Sequence, residues 1–450
     1  MAQRRASISL TSPRLTPTAR ELPLVSSTLA SGLLGPESEE WVKQWMQVSA
    51  RDLIDSRIVA VEAGSSVEHA CDASIPCLAV KSLPGSSTTN PYTGLLDFSD
   101  VNAFLTLAAT RHTIPPHELK ANSRTDQIMS AAREGHVPVH LVSNLSEKNF
   151  LETVPHEATV VSLLAVFARG THRVLVQSPA PSNEFLGMVS DRGLLSWFSA
   201  YAERTPSFRS YLDNSLCTLS LPSLHIHSSV VATSSTAHVL DAMRLMSEQG
   251  VSSIAVIDEE LGTLLSAVSV TDIGKIVVPS ESNQILSAPL HQFIARVKAP
   301  DGSTDGVDKY PTVYLVFPTS KLSYAIQKLL ATNAHRLFVT DNDYLLPAHT
   351  GSLCGIVSVV DILSLFAIVA NIPDVDPTRR MRHRRASSSS SHSSRSGFCH
   401  DFSRSRSSSR TSLRLSASPR IVASTGDSRN SVPSLDTFQW SELVSPRKAD

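Results

Sequence analysis

Three carboxylates recur at one place in this sequence. Asp100, Asp272 and Asp361 each stand three residues after Asp97, Ser269 and Ser358, and each of those closes a short apolar run. A Ser or Asp followed three residues later by a carboxylate reads as a strand running into a capped helix, where the first turn favours negative charge. A carboxylate so placed can also accept from vicinal hydroxyls of a bound sugar. Two cationic pairs recur as well: His172-Arg173 and His335-Arg336 both open an apolar run. The Arg fork matches phosphate, although a polar pair at a strand entry needs no ligand. Ser269, Thr271 and Ser358 are equally good as helix caps or as donors to a ligand.

Those groups bind rather than react. The chain has no Gly-x-Ser-x-Gly elbow, no phosphate loop ending in Gly-Lys-Ser/Thr and no Asp-Phe-Gly. Its five cysteines form no Cys-x-x-Cys and do not pair with His at zinc-ligand spacing, which fits structural thiols in a reducing compartment. A net charge of −1 argues against a globally basic nucleic-acid binder. With 450 residues, 41% of them hydrophobic, the chain can bury a sizeable core in two or three domains. We read it as a non-enzymatic protein without a signal peptide. The longest apolar stretch, 355–372, is interrupted by Asp361 and Asn371 and reads as a strand plus helix, not a membrane span.

The elements that position these residues form a repeat. Gly355-Ile356-Val357-Ser358-Val359-Val360-Asp361 returns as Ser266 to Asp272, as Gly94 to Asp100 and as Gly187 to Gly193, the last with Gly in place of Asp. A periodic helix and a strand precede the copies: Leu240, Met243 and Met246 before Ile254 to Ile257, and Leu322, Ile326 and Leu329 before Leu337 to Val339. Internal repetition of this kind fixes the fold class as α/β before any other reading.

The unit resembles a cystathionine-β-synthase (CBS) repeat, and the chain from near Trp41 to near Asn371 resembles four such repeats arranged as two Bateman-type pairs. The His-Arg pairs of the second and fourth repeats, and the missing Asp of the second, resemble the gamma subunit of AMP-activated protein kinase. With the Ser/Arg-rich ends and Trp41-Val42-Lys43-Gln44-Trp45, the whole is similar to the fungal four-CBS regulators of stress response, cell separation and mitosis. Members of that family are described as inhibitors of type 2A-related phosphatases. The resemblance implies AMP, ADP or ATP as regulatory ligands. Asp100, Asp272 and Asp361 would face ribose, and His172, Arg173, His335 and Arg336 the phosphates. It implies a Ser/Thr phosphatase as partner, or the catalytic subunit of AMP-activated kinase if the chain is a gamma-type subunit. A scaffold with decayed sites is the remaining alternative. Because the fourth repeat holds both His335-Arg336 and Asp361, the expected site lies in the third and fourth repeats around Asp361, with His172-Arg173 reaching in from the other pair. Where Gly193 removes the carboxylate, the site is expected to bind nothing or to be filled by a side chain.

The repeats span about 50–107, 137–202, 212–278 and 286–370, giving pairs at 41–203 and 204–372. The first repeat looks short by about one helical turn between Ser66 and Ile75. Trp41, Trp45 and Val48 fall at helical spacing and read as a helix covering a core. Residues 1–40 and 373–450 lack apolar periodicity and read as disordered Ser/Arg-rich tails. Ser7 and Ser387, each behind paired Arg, and Ser12, Ser418 and Ser445, each before Pro, are candidate phosphorylation sites. The basic tail suits nuclear import, so a cytoplasmic and nuclear location is expected; aromatics are not interleaved with its arginines, so no dedicated nucleic-acid surface is.

Overall fold

The computed structural model describes residues 36–110, 123–297, 315–340 and 353–375, less 73–76, 84, 86–89, 180, 182–183, 220, 222–223, 225–229, 261–262, 277–282 and 374. Residues 1–35 and 376–450, with all five phosphorylation candidates, Ser7, Ser12, Ser387, Ser418 and Ser445, lie outside the described residues, whereas 36–40, read from sequence as the end of a disordered tail, open a helix.

A helix α1 (Pro36–Trp45) precedes the first repeat, which comprises β1 (Ala60–Val61), α2 (Val67–Asp72), β2 (Cys77–Lys81), β3 (Tyr92–Asp97) and α3 (Phe98–Thr110). Helices α4 (Ser123–Arg133) and α5 (Val139–Val142) lead to the second: β4 (Glu152–Pro155), α6 (Val160–Phe167), β5 (Arg173–Gln177), β6 (Phe185–Ser190) and α7 (Asp191–Arg204). After α8 (Pro206–Leu212) comes the third: β7 (Ala232–Ser234), α9 (Val239–Gln249), β8 (Ser253–Ile257), β9 (Leu264–Ser269) and α10 (Val270–Ile276). Helix α11 (Leu290–Val297) precedes the fourth: β10 (Leu315–Val316), α12 (Leu322–Ala331), β11 (Arg336–Thr340), β12 (Leu353–Ser358) and α13 (Val359–Val369).

Each repeat folds its strands into a three-stranded sheet in sequence order, the first pair parallel across a helical crossover and the second antiparallel. The register breaks at the same step of the central strand every time: Val80/Lys81, Val176/Gln177, Val256/Ile257 and Val339/Thr340. Four copies of one irregularity show that the unit, bulge included, is repeated.

Packing joins the repeats in a closed cycle. Sheet faces of the first and second repeats meet through Leu95, Leu175 and Met188, and those of the third and fourth through Ala255, Phe338 and Ile356. Helices join the pairs crosswise. Phe104 and Leu105 of the first repeat share a core with Met243 and Ile273 of the third, while Leu194 and Phe198 of the second share one with Leu363 and Phe366 of the fourth. Helix α1 docks on the second of these cores, as its tryptophan spacing predicts. Trp45 is fully buried, edge-on to Phe198 at 5.0 Å and to Phe208 at 5.8 Å, and Trp41 donates from its indole nitrogen to Ser207 Oγ at 2.9 Å.

Candidate functional site

The helix after each repeat's last strand begins with the cap its sequence specifies. In α13, Ser358 N and Oγ donate to Asp361 Oδ2 at 2.8 and 2.6 Å, and Asp361 N donates back to Ser358 Oγ at 3.2 Å. In α10, Ser269 and Asp272 reproduce this at 2.8, 2.6 and 3.2 Å. What separates the carboxylates is what lies over them.

Asp272 is half-buried and lines a cavity of about 180 Å³. Its second oxygen, Oδ1, accepts no hydrogen bond among the described residues. Ser269 and Thr271 line the same cavity, with His172 and Arg173 from the second repeat, His335 and Arg336 from the fourth, and Asp97 and Ser99 from the first. Ala267, Ala334 and Phe338 supply an apolar wall. The cycle of repeats therefore brings together residues up to 241 positions apart that no local pattern could join, from Asp97 to Phe338.

Asp361, the expected centre, is corrected by this geometry: it is 2% exposed, does not line the cavity and acts as the cap of α13. Its supporting Ser358 is likewise outside the cavity lining. The backbone at Leu224 crosses the strand here so closely that a Cβ on Gly355 would stand 2.5 Å from Leu224 O. Asp100 is also corrected. It is fully buried, and its carboxylate accepts from Ser146 N at 2.9 Å, Asn149 Nδ2 at 2.9 Å and Asp97 N at 3.2 Å. Burial, aided by the neighbouring Asp97, pushes its pKa up to about 7 against the pull of those donors.

At the second repeat a side chain fills the gap left by Gly193. Asp55, from the segment before β1, places Oδ2 where a Cβ on Gly193 would collide with it. That oxygen accepts from Ser190 N at 3.1 Å and from Ser190 Oγ, the two bonds that Asp272 and Asp361 take from their own serines. Chain segments thus cross the last strand of three repeats: Ser143 at Gly94, 54–56 at Gly187 and Leu224 at Gly355, and in the first two the same stretch reaches the cap through Ser146 and Asp55. Among the described residues, no such segment crosses the third.

The cavity is rich in unmet polar capacity. Of six buried side-chain atoms without a hydrogen-bond partner among the described residues, His335 Nδ1 and Arg336 Nε belong to the cavity wall, and Thr171 Oγ1 is next in sequence to the cavity residue His172. Arg336 reaches across to the third repeat, donating at 3.4 Å to Ser253 O and at 3.3 Å to Ser252 Oγ. Burial lowers its pKa to about 10, with Asp361 opposing, so it stays cationic at neutral pH. Burial works to lower Arg173 too, but Cys77, Asp97, Asp191 and Asp55 outweigh it and the net shift is upward. Burial holds the His335 imidazole down to about 3, against the attraction of Asp191, so it is neutral at pH 7.

Lys275 also lines the cavity, and it was legible one helical turn after Asp272. Ser252 and Asn333 sit in the turns leading into β8 and β11 and Ser253 opens β8, and no pattern in the sequence marks any of the three.

Residues 224–278 match the CBS domain family. The protein named sds23 from Aspergillus niger is 31% identical over 305 residues, 66% of this chain and 58% of that protein. SDS23 of Yarrowia lipolytica is 29% identical over 348 residues, covering 71% and 66%. The chain is a CBS-domain protein and a homologue of the fungal SDS23 proteins. It spans 58, 56 and 54% of the length of the relatives from Aspergillus niger, Aspergillus clavatus and Neosartorya fischeri. A crystal structure from Methanocaldococcus jannaschii, titled as a suggested archaeal homologue of the kinase gamma subunit, aligns over 71% of this chain and 100% of its own. Its TM-score is 0.50 at 14% identity, so this likeness speaks for the four-repeat CBS fold alone. Among the described residues of this SDS23 homologue, no helix is long and apolar enough to cross a membrane.

Proposed function

We propose that this chain is a non-enzymatic regulatory protein that binds an adenine nucleotide in the cavity headed by Asp272. The observation that carries the reading is one carboxylate with an open oxygen in a cavity shared with Arg173, Arg336 and Lys275, where His335 Nδ1 and Arg336 Nε have no hydrogen-bond partner among the described residues. A nucleotide monophosphate matches both ends. Asp272 Oδ1 accepts from the ribose hydroxyls, and Arg173, Arg336, Lys275 and the N-terminus of α10 meet the phosphate. The base lies in the slot of Ala267, Ala334 and Phe338. His172 and His335 stand beside the phosphate position. The bound nucleotide would contact three or more repeats at once, so its occupancy reports on how the two pairs sit together.

By its likeness to the SDS23 proteins we further propose that the partner is a type 2A-related Ser/Thr phosphatase, which the chain inhibits in the cytoplasm and nucleus. A gamma-type subunit of AMP-activated kinase is the alternative. Affinity purification with each catalytic subunit separates the two, and recovery of neither would leave the scaffold.

Calorimetric titration with AMP, ADP and ATP tests the site. Losing the ribose bonds in Asp272→Ala costs about 2–4 kcal/mol, a fall in affinity of roughly 30- to 1000-fold. Asp361→Ala should instead lower stability and leave affinity within a few-fold. No binding by the wild type, or equal affinity in Asp272→Ala, would refute the reading.

A further inference from the structure

Behind the cavity the second and fourth repeats share a carboxylate that the nucleotide reading leaves unused. Asp191 opens α7, its side chain 1% exposed and absent from the cavity lining. Two imidazoles converge on the same oxygen: His172 Nδ1 lies 2.8 Å from Asp191 Oδ2 and His335 Nδ1 lies 3.8 Å from it. The rings stand edge to face, 5.1 Å apart at 63°. Only the first separation is a hydrogen bond, and His335 Nδ1 is buried with no partner. The three donor atoms all lie within 4.8 Å of one another.

That spacing suits a metal better than a hydrogen-bonded triad. In a tetrahedral site with ligand bonds of about 2.0–2.1 Å, neighbouring donor atoms are roughly 3.3 Å apart. The two separations from Asp191 bracket this value, and all three donor atoms lie within 4.8 Å of one another. As a hydrogen-bonded triad the arrangement leaves His335 Nδ1 unmet, since 3.8 Å is beyond hydrogen-bond distance. We infer that His172, Asp191 and His335 form a three-ligand site for a zinc-class divalent transition ion. Its fourth position is left to water or to an oxygen of whatever fills the cavity.

The protonation states agree. Burial works to raise the Asp191 carboxyl, but His172, His335 and Arg173 outweigh it and hold it below the usual carboxylate range, so it is anionic. His335 is neutral, the form that ligates. Two nitrogens and one carboxylate favour zinc, cobalt or nickel over magnesium or calcium, which take oxygen sets. Arg173 and Arg192 couple electrostatically to His335 and oppose a cation, so the bonds must come from ligation and not from net charge. An ion here would pin β5 and α7 of one pair to β11 of the other.

The site shares His172 and His335 with the proposed phosphate position but does not depend on nucleotide. The test uses the full chain, stripped with chelator and dialysed against Co²⁺ or Zn²⁺ alone. His383, His392, His400 and Cys399 in the C-terminal segment supply other donors, so the readout is the difference between wild type and variants. Asp191→Asn keeps the shape of the carboxylate, and His335→Gln is the second variant, each checked for wild-type circular dichroism. We expect about one equivalent of ion lost in each variant, at least tenfold weaker residual binding, and loss of the visible Co²⁺ band of a nitrogen–oxygen site. Equal equivalents and an unchanged spectrum in wild type and Asp191→Asn would overturn the assignment. AMP titration in chelator keeps the readings apart: failure there with the ion retained sinks only the nucleotide reading.

Discussion

The substitute carboxylate at the second repeat gives the sharpest test of the structure. Asp55 Oδ2 occupies the space where a side chain at Gly193 would begin, and it takes the two Ser190 bonds that the third and fourth repeats take from their own Asp. Asp55→Ala removes both bonds, while Ser190 Oγ still accepts from Gly193 N at 2.9 Å. The cap is weakened but not lost, and the site is solvent-exposed, so the expected cost is about 1 kcal/mol. Gly193→Asp rebuilds the capping box inside the helix and expels Asp55 to solvent. It gains a few tenths of a kcal/mol of helix propensity, offset by repulsion of similar size between two carboxylates, and is expected to be near neutral. In that background Asp55→Ala should cost nothing, because Asp55 no longer holds Ser190. The double-mutant cycle should therefore show a coupling of about 1 kcal/mol, read by urea unfolding of the four proteins. If the two effects add to within about 0.3 kcal/mol, Asp55 is not the stand-in carboxylate and the reasoning fails.

Three further outcomes follow from the packing. Gly355→Ala places a methyl 2.5 Å from Leu224 O and must push a backbone segment aside, so it should cost about 1–3 kcal/mol, whereas Gly64→Ala, with nothing within 4 Å, should be neutral or slightly stabilising; equal unfolding midpoints for the two would refute the crossing. Trp45→Ala should cost about 3–5 kcal/mol by thermal or urea unfolding, since the indole is fully buried among aromatic rings; a loss below 1 kcal/mol would show α1 undocked. Asp100, raised to about 7 from an unfolded value of 3.8, keeps a proton between those limits that the unfolded chain has released. Stability should therefore fall as pH rises from about 4 to 7, by up to about 1.4 kcal/mol per unit for one group, and Asp100→Asn should flatten that slope; an unchanged slope in the variant would place the titration elsewhere.

Much of this protein is written in short stretches of sequence. Apolar runs closed by Ser269-Val270-Thr271-Asp272 and Ser358-Val359-Val360-Asp361 specify a strand, a cap and a helix locally, because the bonds of a capping box lie within four residues. Repetition then fixes the architecture, since a unit that cannot bury its own apolar face must stack on copies of itself. The tryptophan spacing of α1 and the His-Arg pairs at strand entries were legible for the same reason. Which carboxylate meets the cavity was not. Asp272 and Asp361 take the same capping bonds at the same lengths, and they differ in that Asp361 is 2% exposed whereas Asp272 is half-buried and lines the cavity. Asp55 completes a cap 135 residues away, and His172, Asp191 and His335 converge from two repeats. Covering and convergence depend on how four units close into a cycle, and that is set by side-chain packing between repeats, a long-range property that no window of sequence contains.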